Sequence, residues 1–250
     1  MSTAGRDSAP YSFEITSGGT FPDSTFLRSD QTRHAFVALL REDRMRARWE
    51  GISTRERQLH LAILEWFAGR GSAPSTEDLV GKLSVSADRV WRHLDSLNAR
   101  DLIVLRDRAI DVAYPFTTRK TPHVVEANGV KNRAMCAIDA LGIAAMLGTR
   151  TRIRSKCHLC CEEIDLSVAA EPEPVVDTQP DSALVWAGVQ SIDGCAADTQ
   201  CSQMVFFCMS DHLDRWVAEV SAQTAGFELT PLEAANVGSA IFKPFLPRSA

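Results

Sequence analysis

The apolar positions fall into two regimes. Over the first thirty residues they follow no period among many Ser, Thr, Gly and Asp, which predicts a poorly ordered start. From Thr32 to about Trp49 a helix is expected, with Phe36, Val37, Leu39 and Leu40 as its apolar content. Leu59, Ile63, Leu64 and Phe67 then recur at helical spacing behind a Ser53 or Thr54 cap and ahead of Gly69 and Gly71. A short helix, TEDLVGKL, follows a Ser75 or Thr76 cap, and a third follows Ser86 with Val90, Trp91, Leu94 and Leu97 on its apolar face. DLIVLRD and AIDVAYPF are β-type runs around a polar turn at Asp107–Arg108. Three helices and a hairpin in this order predict a winged-helix-like unit.

Beyond residue 115 the pattern is mixed. A helix is expected from about Lys131 to Leu147, stopped by Gly148. TRIRSKC and IDLSV read as paired strands across the HLCCEE turn, and AAEPEPVVDTQPDS as a Pro- and acid-rich loop. ALVWAGV and MVFFCMS read as buried strands. DHLDRWVAEVSAQ reads as a helix capped by Ser210 or Asp211, and LTPLEAANVGSAIF as one begun near Thr230-Pro231. Without strict βαβ alternation the class is α+β: an extension (1–50), a winged-helix-like unit (51–115), and a mixed antiparallel sheet and helix core (116–250).

Charge narrows the function. The net charge of −5 is concentrated in residues 151–250, which carry six basic and fourteen acidic side chains. Arg89, Arg92, His93 and Arg100 are placed to face a DNA groove, but residues 51–100 carry only seven basic against six acidic groups. Phosphate-backbone binding usually requires a stronger excess, so nucleic acid is not the expected partner. No apolar run approaches the ~18 residues of a membrane span, and the N-terminus lacks a secretory pattern. A cytoplasmic protein is expected. Seven cysteines, an odd number, all lie in the second half. In a reducing compartment that distribution points to soft-metal or thiol chemistry rather than disulfides. Cys208 and Cys195 are expected to be simple buried apolar residues.

Three motifs carry candidate chemistry. In Cys136-Ala-Ile-Asp139 a thiol and a carboxyl share a helix face, and the helix N-terminus favours a thiolate. Cys157-His-Leu-Cys160-Cys161 offers half of a zinc or soft-metal clip. Its other ligands are open among Cys161, His158, Cys195, Cys201 and His212. Cys201 stands at the entrance of MVFF among the polar Thr199, Gln200, Ser202 and Gln203.

Two stretches resemble the organomercurial lyases: Asn132 to Cys157, with its C-A-x-D element and a later cysteine, and Thr199 to Phe207, with a cysteine a few residues before a Phe-Phe pair. The resemblance implies that Cys136 and Cys201 are the mercury-binding thiols, that Asp139 is the proton donor, and that Cys157 is structural. It implies an organomercurial substrate, no required cofactor, small thiols as product acceptors, a mercuric reductase downstream, and a winged helix serving structure rather than DNA binding. Cys160, Cys161 and the N-terminal extension depart from the family pattern. They leave open a zinc clip at residues 157–161 or a mercury hand-off site. Two other readings compete: a winged-helix soft-metal-responsive regulator, and a non-catalytic thiol metal-binding homologue.

Overall fold

The computed structural model describes residues 11–15, 19–169, 174–189, 194–220 and 225–246. Expectations for residues 1–10, 16–18, 170–173 and 221–223 lie outside that set. Among the described residues no helix is long and apolar enough to cross a membrane.

Where described, the start of the chain is ordered, against expectation. Strands β1 (Phe13–Ile15) and β2 (Gly19–Phe21) pair antiparallel, and Ile15, Phe21, Phe26 and Leu27 are buried. The backbone N–H of Asp23 donates to the Ala240 carbonyl at 2.9 Å. These apolar residues are anchored by contacts with the far end of the chain, so they show no local period. The expected helix over 32–49 is two helices, α1 (Asp30–Leu39) and α2 (Glu42–Trp49). The break is held by side chains that take over helix carbonyls. Gln200 Nε2 donates to Leu39 O and Tyr11 Oη to Leu40 O, both at 2.7 Å.

Helices α3 (Thr54–Arg70), α4 (Thr76–Leu83) and α5 (Ala87–Ala99) lie where the caps placed them. Ser53 with Glu56, and Ser75 with Asp78, make reciprocal hydrogen bonds that satisfy the first backbone donors. Strands β3 (Ile103–Arg106) and β4 (Ala109–Ala113) meet at Asp107 and Arg108, both at positive φ as a tight hairpin turn requires. This hairpin does not stand alone. β4 pairs with β5 (Phe116–Thr117), which pairs with β7 (Val130–Ala134), so the sheet runs through the expected boundary at residue 115.

β6 (Val124–Ala127) and β7 flank Asn128-Gly129, again both at positive φ. Residues 130–134 are therefore strand, not the first turns of the expected helix, which begins only at Ala137 as α6 (Ala137–Leu147). Pairing to β5 and β6 on both sides overrides the helical propensity of Lys-Asn-Arg-Ala. β8 (Thr151–Lys156), β9 (Glu163–Ala169) and β10 (Val175–Gln179) complete an eight-stranded antiparallel sheet in the order β10-β9-β8-β6-β7-β5-β4-β3. β10 lies in the segment expected to be a loop. Flanked by Pro174 and Pro180, it suits only an edge, and an edge is where it lies.

A second, three-stranded sheet joins β11 (Leu184–Gly188), β12 (Met204–Phe207) and β13 (Gly226–Leu229). Helix α7 (Ser210–Val220) follows β12, and α8 (Pro231–Phe242) starts from a Thr230–Glu233 capping box.

Helix α6 lies between the large sheet and α8. It is buried nearly all round, as expected of a helix without a polar face. The two helices cross at glycines. A Cβ on Gly142 would come within 2.5 Å of Phe242 and 2.6 Å of Gly238 O, and one on Gly238 within 2.6 Å of Ile138 O. Gly238→Ala should therefore lower stability in urea unfolding by about 1–3 kcal/mol, the usual cost of overpacking. Gly81→Ala in α4, where nothing lies within 4 Å, should leave it unchanged or slightly raised. Equal effects of the two substitutions would contradict the close crossing.

Candidate active site

The chain leaves β7 at Ala134 and turns into α6 two residues later. Cys136 is thus the N-cap of α6, with extended backbone, rather than a residue inside the helix. Its Sγ accepts the Asp139 backbone N–H at 3.4 Å, so thiol and carboxyl meet across a cap. Cys201 arrives from elsewhere, on a single 3-10 turn (Cys201–Gln203) just before β12. One ligand atom from each of Cys136, Asp139 and Cys201 lies within 4.8 Å of the others. The three residues are only 1%, 5% and 7% exposed. Met204, not anticipated from the sequence, places its sulfur 3.6 Å from Cys136 Sγ. Asp139 Oδ2 is buried without a hydrogen-bond partner among the described residues.

Burial dominates the electrostatics. It pushes the Cys136 thiol well above the usual range, with the Cys201 hydrogen bond and the Asp139 charge adding to it. The expectation that the helix N-terminus would hold a thiolate at Cys136 is overturned, because desolvation outweighs the dipole. The Cys136 thiol pulls Cys201 down, but burial and the charges of Asp139 and Asp101 leave it raised overall. Burial raises Asp139 to about 7, against the opposing effects of the Cys136 hydrogen bond and the Arg48 charge. The site therefore holds two protonated thiols beside a carboxyl that titrates near neutrality.

The walls come from every part of the chain. Leu39, Met45 and Arg48 come from α1 and α2, Tyr114 from the β4–β5 connection, and Ile241 and Phe245 from the C-terminal end. They enclose about 50 Å³. Asp101 organises the roof. It pairs with Arg48, accepts the Tyr114 hydroxyl at 2.9 Å and accepts the Ala196 N–H at 3.2 Å. Tyr114 Oη in turn accepts the Ala197 N–H at 2.8 Å. Arg119 joins Asp111 (2.7 Å) to Asp198 (2.5 Å). These contacts fix the segment that delivers Cys201. No short-range pattern marks Arg48, Asp101 or Tyr114 in the sequence, because their partners lie far along the chain.

The second cysteine cluster differs from its sequence-based form. Cys157 and Cys160 are joined by Cys208 and His212, again with ligand atoms within 4.8 Å of one another. Cys161 is not among them: it sits at positive φ on the exposed side of the turn. Cys208 is therefore more than the simple apolar residue expected. Cys195 is half-buried, and its thiol donates to Asp198 at 3.2 Å. His158 packs edge-on against Phe207 and Trp216 instead of joining the cluster. Burial raises Cys157, but backbone N–H groups of Cys160, Cys208 and Leu159 and the His212 ring outweigh it and lower the thiol. Arg100, the C-cap of α5, is committed to structure. Its Nη1 donates to the Glu50 carbonyl at 2.7 Å, at the C-terminal end of α2.

The chain is similar to known proteins. The alkylmercury lyase family model matches residues 116–243. The alkylmercury lyase of Bacillus cereus is 26% identical over 155 residues, covering 62% of this chain and 68% of its own. That of Pseudomonas putida is 30% identical over 118 residues, covering 47% of this chain and 53% of its own. The crystal structure of the mercury-bound form of MerB2 superposes with a TM-score of 0.67 at 21% identity, covering 88% of this chain and all of that one. At that identity the likeness is one of fold.

A carboxyl held at about 7 when folded, against about 4 when unfolded, binds its proton more tightly in the folded chain. Stability from this group is complete below about pH 4 and is lost as pH rises through about 7. Between pH 4 and pH 8, Asp139→Asn should gain on the order of 3–4 kcal/mol relative to the parent chain. Chemical denaturation at the two pH values measures this. A difference that does not change with pH would place Asp139 in a solvated setting.

Proposed function

The chain belongs to the alkylmercury lyase family, and from that we propose that Cys136, Cys201 and Asp139 together cleave the carbon–mercury bond of organomercurials. The observation that carries the reading is the meeting of two thiols and one neutral-range carboxyl within 4.8 Å of one another, all buried. Mercury is a soft ion, and thiolate is the soft ligand a protein can offer. One thiolate bound to R–Hg leaves the carbon bond largely intact. A second places more electron density on the metal and makes the carbon basic enough to take a proton.

The protons balance. R–Hg–SR′ and two cysteine thiols give R–H, R′SH and a mercury held by two cysteine sulfurs. One thiol proton leaves on R′S and the other ends on carbon. Both thiols are held protonated, so a base must accept the second proton before carbon can receive it. Asp139 is suited to both tasks: ionised, it takes the proton from a thiol, and protonated, it is the acid that delivers it. Desolvation keeps its two states close in energy near neutral pH. The Met204 sulfur adds a third soft contact beside Cys136. The proposed reaction uses no organic cofactor. Small thiols in the cytoplasm would take the mercury off the two cysteines and pass it to a mercuric reductase.

The segment 51–115 is read as a winged-helix-like unit that supports the pocket. Asp101 and Tyr114 hold the Cys201 segment, and Arg100 is spent on α2. That favours a structural role over a DNA-binding one.

Given methylmercury and excess small thiol, the purified chain should release methane, read by headspace gas chromatography. Cys136→Ser and Cys201→Ser should abolish release, and Asp139→Asn should lower it about 10²–10⁴-fold. Wild-type kcat/KM should rise with pH through about 7, as Asp139 ionises in the free enzyme. A folded chain that binds mercury without releasing hydrocarbon would make it a metal-binding homologue instead.

The pocket also sets an expectation for the organic group. Its volume of about 50 Å³ is roughly a third of the 150 Å³ known to admit benzene. Ile241→Ala should therefore raise kcat/KM for phenylmercury relative to methylmercury by about tenfold, the scale of one pocket contact. An unchanged ratio would show that Ile241 does not bound the organic group.

A further inference from the structure

We propose that Cys157, Cys160, Cys208 and His212 form a structural zinc(II) site that is separate from the mercury chemistry. The donors come in two pairs. Cys157 and Cys160 flank a tight turn after β8, closed by the Cys161 N–H on Cys157 O at 3.0 Å. Cys208 ends the β12 segment, and His212 stands one turn later in α7, giving a C-x-x-C turn and a C-x-x-x-H partner pair.

All four ligand atoms lie within 4.8 Å of one another, and two of the edges between them match a tetrahedron closely. Zn–S bonds near 2.3 Å and Zn–N bonds near 2.0–2.1 Å require edges of roughly 3.8 Å between sulfurs and roughly 3.6 Å between sulfur and nitrogen. Cys160 Sγ lies 3.7 Å from Cys208 Sγ, and Cys157 Sγ lies 3.6 Å from His212 Nδ1. Cys208 Sγ to His212 Nδ1 is tighter, at 3.1 Å, and opens by a few tenths of an ångström around an ion. Backbone N–H groups of Leu159, Cys160 and Cys208 point at Cys157 Sγ and offset anionic charge there. Three sulfurs and one imidazole with no open position are a structural zinc set. Binding is balanced as Zn²⁺ displacing three thiol protons, leaving a complex of net charge −1.

The placement gives the site its purpose. It ties the β8–β9 turn of the large sheet to the end of β12 in the small one. The other end of β12 carries Cys201, so the clip holds the strand that positions a catalytic thiol without touching that thiol.

The test reads metal rather than hydrocarbon, so it stands or falls apart from the lyase reading. The full chain, expressed with zinc in the medium and desalted, is analysed by inductively coupled plasma mass spectrometry. About one zinc per chain is expected in the wild type, unchanged in Cys161→Ser and Cys136→Ser. It should fall about tenfold or more in Cys160→Ser and His212→Ala. Cobalt(II) exchanged into the wild type should give a tetrahedral thiolate spectrum, an outcome that does not depend on any variant folding. A zinc-free wild type that yields no such cobalt spectrum overturns the proposal. So does full zinc retention in Cys160→Ser.

Discussion

The close approach of Gly142 and Gly238 is the contact on which the rest of the molecule is built. With no side chain on either helix at the crossing, α6 seats directly against the backbone of α8 while its other faces meet the large sheet. The N-terminal turn of α6 is thereby carried into the interior, and Asp139 with it. Without that burial the carboxyl would titrate as an ordinary surface acid and be of no use for moving protons near neutrality. A packing constraint thus fixes an acid–base property about one turn away along the same helix.

The remaining parts are brought in by long-range polar ties rather than by local sequence. Cys201 lies on an irregular stretch whose position is set by Gln200 on the Leu39 carbonyl, by Asp101 and Tyr114 on the N–H groups of Ala196 and Ala197, and by Arg119 on Asp198. Each tie reaches a different part of the chain. The pocket is consequently a junction and not a feature of one domain, and the opening segment of the chain forms part of its wall.

What could be read from the sequence was what local physics specifies. Capped helices such as α3, α4 and α8, and the alternation in β8 and β9, reflect hydrogen bonds and faces defined within a few residues. Cys136, Asp139 and Cys201 stood out by residue type only as separate candidates, and it was the resemblance to the organomercurial lyases that joined them into one site. The hairpin at Asn128-Gly129 was also written locally, since that pair favours the positive φ its turn needs. The apolar residues after it drew the expected helix several residues too early. Other features had no local signature. The break between α1 and α2 depends on Gln200 and Tyr11, the order near Phe21 and Phe26 on the C-terminal helix, and the recruitment of Cys208 and His212 on the meeting of two sheets. A thiol at a helix start looked acidic in sequence because dipoles are local, while desolvation is a property of the whole fold.

The division of the pocket between floor and roof bears on how such a protein can change over evolutionary time. The reacting groups rise from α6 and the approach to β12, where glycines and buried alanines leave little latitude for substitution. Leu39 and Met45 face the same space from elements outside that tightly packed centre. Lineages can therefore drift in which organic groups they accept by altering the roof, while the bond-breaking apparatus stays fixed beneath it.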